Sequence, residues 1–348
     1  WEVIQQNAKQ ADIASQIDNA LYEIEKENPK LEGIVERRYA DARLPASELG
    51  AVVDLIGSIS FGNGRHEASD VLGQVYEYFL GMFASAEGKL GGQFYTTPSI
   101  VKTLVEVLQP TKGRVYDPCC GSGGMFVQSE KFIDAHGGRL DDISVYGQES
   151  NPTTFKLAKM NLAIRGIDAK IELGDTFHND KHKDLQVDYA IMNPPFNISD
   201  YGAESLQDSH MWKYGVPPSS NANYAWLQLV INKLSPSGIA GIVLANGAMT
   251  SNSGGENEIR KNMILDGVVI RLSVESAKDS DVRTKSCLIQ WAVASGFLFD
   301  SRGVSIRPQF DFRDILNSEN RSIRRFSINK KLVDEFISSK NQTERPLD

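Results

Sequence analysis

The apolar residues of the first 88 positions recur at spacings of three and four, which is typical of amphipathic helices. This pattern predicts helices over residues 11–27, 49–59 and 71–83, and the Gly62-Asn63-Gly64 triplet predicts a break before the last of them. The first helix carries an apolar stripe that consists of Ile13, Ile17, Ala20, Leu21 and Ile24. We therefore predict an N-terminal all-α domain over residues 1–88. Its stripe serves either the domain's own core or contact with a partner or DNA, and both alternatives stay open.

From residue 114 the pattern changes to short apolar runs that alternate with helical stretches. The predicted strands cover residues 114–117, 144–148, 170–173, 187–192, 240–245 and 268–272, and the predicted helices cover residues 124–136, 152–164 and 224–234. Near-continuous apolar strands joined by helices are typical of a parallel, doubly wound sheet. We therefore predict an α/β domain over residues 89–300 with a Rossmann-like sheet.

The composition excludes several classes of protein. The chain has 348 residues, of which 41% are hydrophobic and 24% are charged, so a disordered, collagen-like or coiled-coil chain is excluded. The sequence has no apolar run of the ~18–20 residues that span a membrane, and its first residues do not resemble a signal peptide. Its three cysteines are too few for a disulfide framework or a four-cysteine zinc site. We expect a cytoplasmic protein without membrane contact or a bound metal.

The charge is distributed unevenly. A net charge of −8 argues against non-specific DNA binding by the whole surface. Residues 301–331 nevertheless hold eight basic residues against three acidic ones. We therefore predict a basic C-terminal extension over residues 301–348, which is either a solvated face or a contact for nucleic acid or a partner.

A predicted strand that ends in an acid leads into a glycine-rich turn and a helix, in the run Asp117-Pro118-Cys119-Cys120-Gly121-Ser122-Gly123-Gly124. Glycines let the backbone approach a ligand, and a helix start offers N–H groups to an anion. The spacing differs from that of a dinucleotide-binding turn. A carboxylate before the turn would repel a pyrophosphate, but it suits the ammonium group of S-adenosylmethionine (AdoMet).

Two further acids follow the next two strands. Glu149 ends the second strand, where an acid in a doubly wound fold accepts hydrogen bonds from ribose hydroxyls. Asp175 follows the third strand and can accept a hydrogen bond from an adenine amino group. Each acid alone is more often a helix cap, but three successive strands that end in Asp117, Glu149 and Asp175 favour a ligand site.

The fourth strand runs into Asn193-Pro194-Pro195-Phe196. Two prolines lack backbone donors and fix φ, so the carbonyl groups of Asn193 and Pro194 are held rigidly. The side-chain oxygen of Asn193 and one carbonyl match the two hydrogens of an NH₂ group, and Phe196 offers a face for a planar ring. A stiff turn that merely ends the strand is the alternative, and the position in this sheet disfavours it.

These motifs together resemble those of AdoMet-dependent methyltransferases that act on the amino group of adenine in DNA. Within that class, the segment Gly91-Gly92-Gln93-Phe94-Tyr95-Thr96-Thr97-Pro98 resembles the AdoMet-contacting segment of the modification (M) subunits of type I restriction–modification systems. Similar stretches occur at residues 75–80, 157–162, 212–218, 221–226 and 258–261. The resemblance fades after about residue 270. Asp266-Gly267-Val268 and Arg271-Leu272-Ser273-Val274-Glu275 differ from the family's usual passage, so either residues are missing around 274–286 or the lineage diverges there.

The resemblance implies a Rossmann-like AdoMet-dependent methyltransferase sheet over residues 89–300 and transfer of a methyl group to the N6 amine of adenine. It implies catalytic roles for Asn193, Pro194, Pro195 and Phe196. The implied cofactor-binding residues are Gln93, Phe94, Tyr95, Thr96, Thr97, Pro98, Asp117, Gly121, Ser122, Gly123, Gly124, Glu149 and Asp175. The implied partners are duplex DNA, a specificity (S) subunit that reads the bases, and a restriction (R) subunit, with two M subunits for each S subunit.

Other hypotheses are weaker. Pro118-Cys119 is the pair that cytosine carbon-5 methyltransferases use as a nucleophile, but here it lies in the first turn rather than after a later strand. Protein glutamine methyltransferases share Asn-Pro-Pro but usually follow it with Tyr. His178 and His182 have a zinc-like spacing without a third ligand nearby. A catalytically silent assembly subunit is a further alternative, which AdoMet titration would test.

Overall fold

The computed structural model describes most of the chain, in the ranges 1–42, 44–58, 65–86, 96, 98–139, 142–249, 251–276, 287–294 and 325–327. The chain divides into two compact units. The first comprises Trp1–Thr96, Cys120–Val127 and Gly147–Asp175, and the second comprises Thr97–Cys119, Gln128–Tyr146 and Thr176–Asp348. The domain boundaries predicted at residues 88 and 300 fall in ranges outside the described residues, so they stay predictions.

The N-terminal part of the first unit is helical. Its helices are α1 (Glu2–Gln6), α2 (Ile13–Glu27), α3 (Ala46–Gly57) and α4 (Arg65–Ala86). The three predicted helices are present: 11–27 corresponds to α2, 49–59 to α3, and 71–83 to α4, which begins six residues earlier than predicted. Residue 59 and the predicted break at residues 62–64 lie outside the described residues. The apolar stripe of α2 is buried at one end only, because Ile13 is fully buried and Ile24 is 47% exposed. α2 contributes to the core through its first turn.

The remaining elements alternate between α-helices and strands up to β5, except that β4 follows β3 without a described α-helix between them. They are α5 (Pro98–Leu108), β1 (Gly113–Asp117), α6 (Gly124–Ala135), β2 (Ile143–Glu149), α7 (Pro152–Ile164), β3 (Ala169–Leu173), β4 (Val187–Met192), α8 (Asn223–Lys233), β5 (Leu234–Ala245), α9 (Glu256–Leu265), β6 (Val269–Ser276), β7 (Cys287–Ala294) and β8 (Arg325–Ser327). Every predicted strand is present within two residues of its predicted bounds except at the start of β5 and the end of β6.

The strands of the described residues form one sheet in the order β3-β2-β1-β4-β5-β7-β6-β8. β1 pairs with β4 in parallel, and β4 pairs with β5 in parallel. β7 pairs antiparallel with both β5 and β6, and β8 pairs antiparallel with β6. The predicted parallel arrangement is confirmed: β1, β4 and β5 pair in parallel, and β6 runs in the same direction as β5 because β7 is antiparallel to both. The antiparallel strands β7 and β8 lie outside the six strands that the sequence predicts.

The core of the second unit lies around α8, β4 and β5. Ten of the eleven residues of α8 are buried, including Tyr224 and Leu227, which are fully buried. An apolar helix surface of this extent needs cover on all sides, and β4 and β5 both contact α8. Within the part of the chain that the structure describes, the helices are too short or too polar to cross a membrane.

Candidate functional site

The glycine-rich turn (residues 121–124) joins β1 to α6 through left-handed backbone. Gly121 has φ = 54° and Gly123 has φ = 81°, which is a region that glycine adopts without strain. A Cβ atom on Gly123 would lie 3.4 Å from the side chain of Leu162 in α7, whereas one on Gly124 would meet nothing within 4 Å. The turn is thus supported by α7 and leaves open space at Gly124.

Glu149, the last residue of β2, is 9% exposed and binds the backbone of the turn. Its Oε2 atom accepts a hydrogen bond from the N–H of Gly121 at 3.0 Å, and its Oε1 atom accepts one from the N–H of Asn151 at 2.8 Å. Burial raises the pKa of Glu149, although these backbone hydrogen bonds oppose the shift. The Ser150 hydroxyl also donates to Oε1 at 3.5 Å. Of the roughly four acceptor positions of a carboxylate, a second one on Oε2 is thus left for a ligand hydroxyl.

The other two predicted acids lie in different surroundings. Asp117 is 2% exposed, and its Oδ1 atom accepts a hydrogen bond from the N–H of Cys119 at 3.0 Å. Asp117 therefore fixes the first residues after β1 in a local turn, seven residues before α6 begins at Gly124. Asp175 is exposed and stands two residues beyond the end of β3.

The predicted cofactor segment before α5 is described only in part. Gln93, Phe94, Tyr95 and Thr97 lie outside the described residues, Thr96 is half-buried, and Pro98 begins α5. Their roles stay predictions.

The proline loop (residues 193–196) follows directly on β4. The side-chain oxygen of Asn193 is buried, Pro194 is buried and Pro195 is half-buried. Phe196 is 38% exposed. The loop therefore combines a buried polar group with an aromatic face that is accessible from solvent.

Three asparagines hydrogen-bond to each other directly after the proline loop, and the sequence pattern predicts no role for them. Asn197 adopts a left-handed φ of 53°, and its N–H donates to Oδ1 of Asn223 at 3.1 Å. Nδ2 of Asn223 donates to Oδ1 of Asn197 at 2.9 Å, and Nδ2 of Asn221 donates to the same atom at 3.3 Å. We call these residues the asparagine clamp. Asn223 of the clamp is the first residue of α8. In the sequence, only the triplet Asn221-Ala222-Asn223 points to the clamp.

Within the second unit, β1 and β4 bring two of the predicted motifs to the same sheet edge. Val115 pairs with Tyr189 and Tyr116 pairs with Ala190 in parallel register. Asp117 ends β1, and Asn193 follows β4. Because the carboxyl ends of adjacent parallel strands share an edge, both residues lie at that edge, as the prediction of a strand-end site expects.

His178, His182 and Cys120 have ordinary structural surroundings. The His182 ring lies edge-on to Tyr116 at 5.8 Å and to Tyr146 at 5.7 Å, and Nε2 of His178 lies 3.3 Å from the carbonyl oxygen of Gly202. Among the described residues, no cluster of His, Cys, Asp or Glu is arranged to hold a metal ion. Cys120 is buried, and its N–H donates to the carbonyl of Gln148 at 3.0 Å. Most of the predicted basic extension lies outside the described residues, with the exception of β8.

A model of the family described as N-6 DNA Methylase matches residues 67–275. The HindI type I restriction enzyme methylase subunit of Haemophilus influenzae is 47% identical over 261 residues, which cover 72% of this chain and 59% of that protein. The MjaIX type I restriction enzyme methylase subunit of Methanocaldococcus jannaschii is 39% identical over 276 residues, which cover 77% of this chain and 49% of that protein. The chain thus spans between half and three fifths of the length of these curated relatives.

Solved structures share the fold. The type I restriction-modification methyltransferase subunit from Streptococcus thermophilus superimposes with a TM-score of 0.75 at 18% identity, covering 96% of this chain and 77% of that chain. A class I AdoMet-dependent methyltransferase described as putative, from Listeria monocytogenes, superimposes with a TM-score of 0.54 at 14% identity, covering 88% of this chain and 90% of that chain. These likenesses confirm the predicted Rossmann-like methyltransferase fold.

Proposed function

Because the chain belongs to the N-6 DNA Methylase family, we propose that it transfers a methyl group from AdoMet to the N6 amine of adenine in duplex DNA. We assign it the role of modification subunit in a type I restriction–modification complex of the cytoplasm. The observation that carries the proposal is the proline loop, in which a buried Asn193 oxygen stands beside an exposed Phe196. That combination suits a planar base with an amino group.

The glycine-rich turn and Glu149, both in the first unit, fit AdoMet. The glycine-rich turn has open space at Gly124, and Glu149 keeps acceptor capacity for ribose hydroxyls. When bound, AdoMet supplies a methyl group on a positively charged sulfur. We assign the ammonium group to Asp117, the adenine amino group to Asp175, and further contacts to residues 93–98.

The proline loop prepares the target amine. This amine is a poor nucleophile because its lone pair is delocalised into the ring. The side-chain oxygen of Asn193 and the carbonyl of Pro194 accept its two hydrogens, which localises the lone pair on nitrogen. Phe196 stacks on the ring after the adenine has flipped out of the duplex, at a cost of a few kcal/mol. Positioning of this kind contributes up to ~7–11 kcal/mol in favourable cases.

We infer the partners from the net charge and from the lack of a recognisable base-reading module in this sequence. Its net charge is −8, and no known base-reading module is recognisable in its sequence. We therefore assign the reading of the DNA sequence to an S subunit, with two M subunits for each S subunit, and cleavage to an R subunit. The two curated relatives are named as methylase subunits of type I enzymes, which supports this arrangement.

The experiment is transfer of labelled methyl from AdoMet to duplex DNA, with and without the S subunit. We expect weak methylation by the chain alone and strong N6-adenine methylation with the S subunit. Robust methylation of a single recognition sequence by the chain alone would contradict the assignment of specificity to a partner. Label in protein glutamine would support the glutamine alternative, and failure to bind AdoMet would support the silent subunit.

A further inference from the structure

A buried side chain of α7 hydrogen-bonds to the backbone of the glycine-rich turn. Nδ2 of Asn161 donates to the carbonyl oxygen of Ser122 at 2.7 Å. Asn161 is 1% exposed and Ser122 is 4% exposed, so water does not compete for this hydrogen bond. The carbonyl of the turn therefore has a partner that is fixed in the core.

Arg165 fixes the orientation of that amide. Its Nη1 atom donates to Oδ1 of Asn161 and, at 3.3 Å, to the backbone carbonyl of Asn161. A guanidinium group has only donors, so the amide presents its oxygen to Arg165 and its NH₂ group to Ser122. A flipped amide would lose both hydrogen bonds.

The other side of the guanidinium group binds α4. Its Nη2 atom donates to the carbonyl of Gly73 at 2.6 Å and to Oε1 of Glu77 at 2.8 Å. The Arg165 side chain is 8% exposed, and that of Glu77 is 24% exposed. A Cβ atom on Gly73 would lie 2.9 Å from the guanidinium carbon, so glycine permits this close contact.

We infer that Arg165 is a positioning residue for the glycine-rich turn, which it sets through Asn161 while anchored to α4 by Gly73 and Glu77. The chain of contacts runs from α4 through the guanidinium and the amide to the carbonyl of Ser122, next to the Gly121 N–H that binds Glu149. The helical segment thereby takes part in shaping the cofactor site. This inference rests on the proposed function, because it takes the turn to be the AdoMet site.

The same helix pair offers a matched control. The hydroxyl of Tyr76 in α4 donates to the carbonyl of Leu157 in α7 at 2.9 Å. This hydrogen bond joins the same two helices, but Leu157 makes no part of the chain of contacts that ends at Ser122. Tyr76→Phe therefore weakens the helix pair and leaves the support of the turn in place.

The test is calorimetric titration of the full chain with AdoMet, alongside its Tm. Asn161→Asp keeps the oxygen that faces Arg165 and puts a second oxygen against the carbonyl of Ser122. We expect Asn161→Asp and Arg165→Ala to weaken AdoMet binding about tenfold. Tyr76→Phe should stay within about twofold of the wild type even where its Tm falls. In the complex with the S subunit, the KM for AdoMet should rise in the first two variants while kcat at saturating AdoMet changes little.

Arg165→Lys provides a variant that keeps the charge, in case Arg165→Ala does not fold. Lysine cannot span Asn161 and Gly73 together, so we expect it to bind AdoMet more weakly than wild type and more tightly than Arg165→Ala. Wild-type affinity in Asn161→Asp and Arg165→Lys would overturn the inference, and so would an equal loss in Tyr76→Phe. If the wild-type chain itself bound no AdoMet, the proposed function would fail first and the inference with it.

Discussion

The glycine-rich turn and the proline loop reach a fixed shape by opposite means. The turn has flexible backbone, with left-handed φ at Gly121 and Gly123, and polar partners hold it from outside. Glu149 binds its first N–H and Asn161 binds the Ser122 carbonyl. The proline loop is stiff along its own chain because two successive prolines fix φ, and it needs only a clamp at its exit.

This difference matches what each region is proposed to bind. A backbone that lies close to a ligand must lack side chains, so its order has to come from neighbouring buried groups. A loop that receives a flipped base has to keep two acceptors and an aromatic face ready before the base arrives, and the exposed Phe196 fits that need. Substitutions should therefore separate cofactor binding from methyl transfer.

The largest effect is expected from Asn193→Ala. This variant removes an acceptor for the target amine, so turnover should fall below about a tenth of wild type, a loss of more than ~1.4 kcal/mol of transition-state stabilisation. AdoMet binding should stay nearly intact in calorimetry. A variant that keeps more than that tenth of turnover would refute the role of Asn193.

Glu149→Ala should act on the other region. Unpaired ribose hydroxyls, together with the lost partner of the Gly121 N–H, should weaken AdoMet binding by about 1–3 kcal/mol. Calorimetric titration measures the change, and Glu149→Gln, which keeps one acceptor oxygen, is the matched control with a smaller loss. Unchanged affinity in the alanine variant would remove Glu149 from the site.

A smaller effect is expected from the asparagine clamp. Asn223→Ala removes two of the three hydrogen bonds that hold Asn197, so kcat should fall by roughly 1 kcal/mol, or about fivefold, with AdoMet affinity unchanged. Asn221→Ala removes the 3.3 Å hydrogen bond to Asn197 and the 2.9 Å one that Oδ1 of Asn221 accepts from the N–H of Asn223. It keeps both hydrogen bonds between Asn197 and Asn223, so it should change kcat less. Equal losses of kcat in the two variants would show that the two hydrogen bonds between Asn197 and Asn223 matter no more than those of Asn221.

The smallest effect is a pH dependence. Burial raises the pKa of Glu149 above 4.5, so as pH falls this carboxyl protonates earlier than an exposed one. The ionised form is the better acceptor for ribose hydroxyls and for the Gly121 N–H, so AdoMet affinity should decline as the pH falls. This decline should begin at a higher pH than the protonation of an exposed glutamate would cause. Glu149→Gln should lack this decline, and an identical decline in that variant would assign it to another group.

The sequence predicts the elements around the site better than their connections. β4 and α7 are predicted to the residue, because an apolar run before Asn-Pro-Pro and a helix that begins at Pro152 with Asn151 as its cap are strong local signals. β5 begins six residues before its predicted start, since Ser235-Pro236-Ser237-Gly238 has the composition of a turn. β7 is an apolar run that has the composition of a strand, but the sequence prediction did not include it. Its antiparallel insertion between β5 and β6 is a long-range pairing that the run itself does not reveal.

The candidate site shows the same limit. The sequence indicates the acids and the Asn-Pro-Pro-Phe run, because residues of these types stand at the ends of predicted strands or just after them. The clamp between Asn197 and Asn223 and the contact of Arg165 with Glu77 join residues that are 26 and 88 positions apart. Such pairs depend on tertiary packing, so a single sequence does not reveal them.

The separation of the two regions is tested most directly by measuring AdoMet affinity and methyl transfer to duplex DNA together, for Glu149→Ala and Asn193→Ala in complex with the S subunit. We predict that each variant loses only one of the two quantities. Glu149→Ala should lose affinity and recover turnover at saturating AdoMet, while Asn193→Ala should keep its affinity and lose turnover at any AdoMet concentration. Equal loss of both quantities in both variants would contradict the assignment of cofactor and target amine to separate regions.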